Sequence, residues 1–234
     1  MSLAREVLVT ILQRVAVLLV ALTVVSPSMA QTILPRPDPA TADREGRSKG
    51  ESARRTMDQY AKCVLGRKRS FVLEALALPS GSLEQNQAFG KLLTSDCIDS
   101  AELQFNAPSF RGSFYTSLVR AKFARKDVSF RPEPVDYSKQ PLPEGSRPPD
   151  PSVAHLLNFA SCVIHKDSKN ARDAIVAAAG SPKEDAAMAE LSKVYGQCLY
   201  SDQTLRFSKG ILKGVLAEAY YREANAPAQQ SPVP

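Results

Sequence analysis

The residues best equipped for chemistry in this chain are its four cysteines, Cys63, Cys97, Cys162 and Cys198. Thiolates serve as nucleophiles, metal ligands or redox pairs, and each of those roles needs neighbours. Redox dithiols sit close in sequence, as in Cys-x-x-Cys, whereas successive cysteines here are at least 34 residues apart. Zinc and copper need clustered His, Cys or carboxylate ligands, and the chain has only two histidines, His155 and His165. Ten residues apart on a helix, they would lie about 15 Å from each other, too far to share an ion. Both read as solvated helix histidines, and neither a metal nor a cofactor is expected.

A serine nucleophile needs a base beside it, and no Gly-x-Ser-x-Gly elbow surrounds any serine. Glu74 and Asp173 could supply carboxylates. Each falls on a helical stretch beside apolar neighbours, which suits a surface or capping role, so no catalytic residue is assigned. Gly-rich phosphate loops are absent. What remains is a duplicated polar feature, Arg111-Gly112 and Lys209-Gly210, in which a basic residue precedes a lone glycine near a helix start. Such a glycine commonly lets another backbone approach. The sharper expectation is anion binding at the helix N-terminus, with Arg111, Gly112, Lys209 and Gly210 as the candidate site. The basic run Arg67-Lys68-Arg69, with Arg54 and Arg55 before it, has no interleaved aromatic residues. Nucleic acid is therefore not expected, and a solvated face able to meet anionic lipid or polysaccharide is.

The elements that position these residues recur. Phe159-Ala160-Ser161-Cys162-Val163 echoes Tyr60-Ala61-Lys62-Cys63-Val64 at a spacing of 99. At the same spacing Ala174-Ile175 answers Ala75-Leu76, and the capping box of Ser181 and Glu184 answers that of Ser82 and Gln85. Cys198 answers Cys97, and Leu205-Arg206-Phe207 answers Leu103-Gln104-Phe105. Leu216, Ala219 and Tyr221 are paired with Leu118, Ala121 and Phe123. Their common order indicates tandem duplication. If each copy carries its own bridge, the three available pairings reduce to Cys63–Cys97 and Cys162–Cys198. A unit of about 70 residues buries little core and benefits from such a staple.

Each copy reads as three helical stretches, with apolar residues such as Met57, Ala61 and Val64, or Leu156, Ala160 and Val163, at helical spacing. The first stretch is interrupted near 66–70 and 165–168. The expected fold is all-α: two tandem copies of a small three-helix, one-disulfide unit joined by a proline-rich linker. The absence of Trp and an aromatic content of 7% predict a core that is mostly aliphatic and rich in alanine.

Residues 1–30 read as a signal peptide: a basic start with Arg5 and Arg14, an apolar run from Val15 to Val25, and small residues before Gln31. Cleavage near Ala30–Gln31 would leave a periplasmic or secreted chain with no transmembrane segment. Removing Arg5, Arg14 and Glu6 from 30 basic and 24 acidic residues leaves a formal charge of +5. The expected divisions are a disordered tail over 31–50, one repeat over 51–126, the linker over 127–151, a second repeat over 152–224 and a disordered tail over 225–234. Seven prolines stiffen the linker, onto which Phe130, Val135 and Tyr137 offer anchors. The expected function is non-enzymatic binding or scaffolding in the cell envelope, with an envelope protein or an anionic surface as partner. The alternatives are an envelope hydrolase with its site between the repeats, and a protein that binds anionic lipid or glycan surfaces.

Overall fold

A computed structural model describes residues 39–98, 107–139, 151–199 and 208–226. The expected signal peptide, linker residues 140–150 and the end of the C-terminal tail lie outside them. The chain divides into Met1–Ala42 and Asp43–Pro234. Of the first unit only the opening of one helix is described, and the second carries the core.

Among the described residues there are eight α-helices, two short 3-10 turns and no strand. Helix α1 (Pro39–Arg67) begins inside the segment expected to be a disordered tail. Pro39 occupies the first helical position, and Ala40, Ala42, Arg44, Glu45 and Arg47 behind it are strong helix formers. After Lys68 the chain resumes as α2 (Arg69–Ala77). In the second half α5 (Pro151–Lys166) likewise yields to α6 (Ser168–Val176) across Asp167. Both breaks fall within the expected interruptions, and Asp167 caps α6 by accepting from Asn170 N at 3.0 Å. Each half therefore has four helices, because the polar clusters split the first stretch.

Helices α3 (Leu83–Leu92) and α7 (Pro182–Cys198) start at Ser82 and Ser181, whose hydroxyls accept from Gln85 N and Glu184 N. The residue before each cap is a glycine at positive φ, Gly81 at 76° and Gly180 at 70°. A side chain there would be strained, so the tight entry depends on glycine. The disulfides pair as expected. Cys63–Cys97 ties α1 to the 3-10 turn Ser95–Cys97, and Cys162–Cys198 ties α5 to the end of α7.

Helices α4 (Ala107–Phe123) and α8 (Lys209–Ala224) make the most extensive helix pair. They cross where Gly112 meets Gly214: a Cβ on Gly112 would stand 2.6 Å from the Gly214 Cα. Only two glycines allow backbones so close. The halves thus share one core. Its first half is more aromatic than expected, with Phe110 packed among Tyr60, Phe89 and Phe114. Its second half follows the aliphatic and alanine expectation, in Ala160, Ile164, Ala171, Ala174, Ile175 and Leu191. The chain leaving α4 is strapped onto this body. Val135 N donates to Ser161 Oγ at 2.8 Å, Tyr137 N donates to Asn158 Oδ1 at 2.6 Å, and Phe130 lies edge-on to Tyr220.

No described helix is long and apolar enough to cross a membrane. Together with the two disulfides, this is compatible with a place outside the cytosol.

Candidate functional site

The capping boxes reach further than a local motif. In the first, Gln85 is buried and satisfies itself: Oε1 accepts from Gly81 N, and Nε2 donates to the carbonyls of Ala75 and Leu78. In the second, the corresponding residue is a carboxylate, Glu184, with no exposed surface. A buried charge needs partners. Glu184 Oε2 accepts from Gly180 N at 2.8 Å and from Arg54 Nη2 at 2.9 Å. Oε1 accepts from Arg54 Nη1 and Lys213 Nζ, each at 2.9 Å. Burial pushes this carboxyl upward, and those hydrogen bonds more than offset it, holding it at about 2. Burial lowers the Lys213 ammonium, which Glu184 opposes. Lys213 also donates to the Ala177 carbonyl at 2.6 Å, and Arg120 donates to the carbonyls of Val176 and Ala177 and to Asp58. Two cations therefore meet the carbonyl end of α6, where the helix dipole is negative.

Beside this network, between α1, α4 and α8, opens a cleft of about 160 Å³. Arg54, Asp58 and Lys213 supply its charge, Ser109, Ser113 and Thr116 its hydroxyls, and Met57 with Gly112, Gly210 and Gly214 its apolar wall. Ser113 and Thr116 are 9% and 2% exposed. The cleft lies between the halves, where the hydrolase alternative would place its site. Its lining carries one carboxylate and no imidazole.

The four residues expected to bind an anion are dispersed. Gly112 and Gly210 both line the cleft. Arg111 is buried elsewhere in the α4–α8 interface. Its Nε and Nη2 donate to Glu218 at 2.7 and 2.6 Å, and Nη1 has no hydrogen-bond partner. Burial opposes the ionised Glu218 carboxyl, but Arg111 and Arg222 keep it below its ordinary range. Lys209 is a surface residue paired with Asp185 at 2.6 Å. Of the basic run, Arg67 pairs with Asp96 on the surface, Arg54 turns inward to Glu184, and Arg55, itself exposed, donates to the Ala179 carbonyl.

The expectation of solvated histidines holds for His155, which is exposed. It fails for His165, whose side chain is 9% exposed and whose Nε2 lies 2.8 Å from Glu223 Oε2. The strap covers it: Phe130 packs on its ring, and Tyr137 donates to the other Glu223 oxygen. Helical spacing alone does not register a covering segment that comes from another part of the chain.

Sequence reasoning placed Arg54 on a solvated basic face, where the structure turns it onto Glu184, and it missed Lys213, for which a signal existed. Lys213-Gly214 stands 102 residues after Arg111-Gly112, the spacing that also relates Leu205-Arg206-Phe207 to Leu103-Gln104-Phe105. The crossing of Gly112 with Gly214 follows that spacing.

No family model, curated protein or solved structure matches this chain.

Proposed function

We propose that this is an exported, non-enzymatic binding protein of the cell envelope, built from two tandem copies of one stapled helical unit, and that α2 and α3 form its contact face. The duplication is supported by recurrence at a spacing of 99: the helix breaks at Lys68 and Asp167, the caps Ser82 and Ser181, and the positive-φ glycines Gly81 and Gly180. Export is supported by the disulfides and by the sequence of residues 1–30.

One observation carries the contact face. The large apolar side chains exposed among the described residues are Phe71, Leu73, Leu83 and Leu93, and all four lie on α2, α3 or its cap. At the 99-residue spacing the second half has Asn170, Arg172, Pro182 and Ser192 instead. Exposed apolar side chains confined to one pair of neighbouring helices mark that pair as an interaction surface, and Phe71 among them lines a groove. Between α2 and α3 runs a groove of about 480 Å³ walled by Phe71, Ala75, Leu78, Ala88 and Leu92, with Lys68, Glu74 and Lys91 as its charged lining. The second-half groove has Asn170 and Glu190 where this one has Phe71 and Lys91. A concave apolar channel with two lysines and one glutamate in its lining suits the ridge of an amphipathic helix of net negative charge, which makes an envelope protein the expected partner. A flat anionic bilayer would meet the lysines and leave the groove empty.

The test is site-specific photocrosslinking in intact cells. Probes at Phe71 and Leu83 are expected to capture the same protein, a probe at Asn170 to capture none, and Lys91→Glu to abolish the crosslinks. Salt-sensitive sedimentation with anionic vesicles, combined with no common crosslinked protein, would transfer the assignment to a lipid surface.

A further inference from the structure

We infer that the cleft between α1, α4 and α8 is a binding site for a small monocarboxylate, separate from the α2–α3 face. Charge fixes the valence. Arg54 and Lys213 face the cleft with Glu184 bonded between them, and Asp58 is neutralised by Arg120, so the group carries one net positive charge. A single anionic group completes it, and a dianion would leave one charge uncompensated.

Donors fix the chemistry. Two protons of Lys213 Nζ are held by the Ala177 carbonyl and Glu184, which leaves the third for a ligand. Ser113 and Thr116 also line the cleft, and their hydroxyls can turn toward a ligand there. A carboxylate in the cleft would accept from those hydroxyls and from Lys213 Nζ, the last a charge-assisted bond. Ser109, in the first turn of α4, and Gly210, in the first turn of α8, complete the lining.

Volume sets a scale for the part of the ligand that is held. The cleft measures about 160 Å³, and cavities of about 150 Å³ admit benzene. Met57 and the glycine Cα atoms form the wall against which the body of such an acid would rest.

Calorimetric titration of the purified, disulfide-bonded protein with benzoate and with benzamide tests this. Benzoate is expected to bind saturably at one site, with a Kd of about 1 mM or tighter, and benzamide not to compete. Thr116→Val, which removes a hydroxyl at constant shape, is expected to weaken benzoate by about tenfold. Ala53→Leu, at an exposed position on the rim, fills the cleft without touching the ionic network and is expected to abolish binding while circular dichroism stays unchanged. No saturation by benzoate, equal binding of benzamide, or undiminished binding by Ala53→Leu would each overturn the assignment.

Discussion

At the scale of single residues, the two capping boxes pose one problem and solve it differently. Gln85 is neutral and donates its own amide protons to the carbonyls above it. Glu184 needs Lys213 for the equivalent carbonyl and Arg54 for its charge. Because the fold holds Glu184 at about 2 against an ordinary 4.5, the folded chain binds fewer protons than the unfolded chain between those values. Its stabilisation is complete above the ordinary value and is lost as pH falls through that interval. Glu184→Gln should therefore flatten the decline of stability from pH 4.5 to 2, leaving the contribution of Glu218. At pH 7 the variant should lose about 3 kcal/mol, since Arg54 and Lys213 would face a neutral amide. Combining it with Lys213→Met should recover part of that loss. Urea melts at both ends of the interval measure this, and parallel curves for variant and parent would refute the role given to Glu184.

At the scale of elements, what was legible depended on how far apart the interacting residues lie. The caps at Ser82 and Ser181 and the breaks at Lys68 and Asp167 are short-range events, and the sequence pattern located them. The disulfide pairing followed from the recurrence of the cysteines. By contrast, Arg54 meets Glu184 across 130 residues, and nothing local to either marks the pairing. The choice between Gly210 and Gly214 as the partner of Gly112 likewise depends on how α4 and α8 cross, a tertiary matter. That crossing makes a graded prediction. Gly112→Ala puts a Cβ against the backbone of Gly214, where no flexible side chain can yield, and should cost about 3 kcal/mol through displacement of the helices. Gly90→Ala, inside α3 with nothing within 4 Å, should stabilise by about 1 kcal/mol. Thermal melts of the two variants should move in opposite directions.

At the scale of the whole molecule, the bridges and the core make different demands on unfolding. Each disulfide lies within one half and closes a loop of similar length, with cysteines 34 and 36 residues apart. Chain entropy assigns each about 4 kcal/mol, and the two should be nearly equal because the dependence on loop length is logarithmic. The core, however, is continuous across the α4–α8 interface, where Arg111 and Glu218 form a buried ion pair and Phe123 packs against Tyr220. Opening one half would strip water-excluding cover from that pair and leave two charges facing a ruptured interface. The halves should therefore unfold together. Replacing either cysteine pair with alanine should lower one shared transition by about 10 °C, and by similar amounts whichever pair is removed. Calorimetry on the two double variants decides the matter. A melt that splits into two transitions, with only the depleted half shifted, would mean that each unit keeps its own cooperativity and that the glycine crossing is a contact between independent bodies.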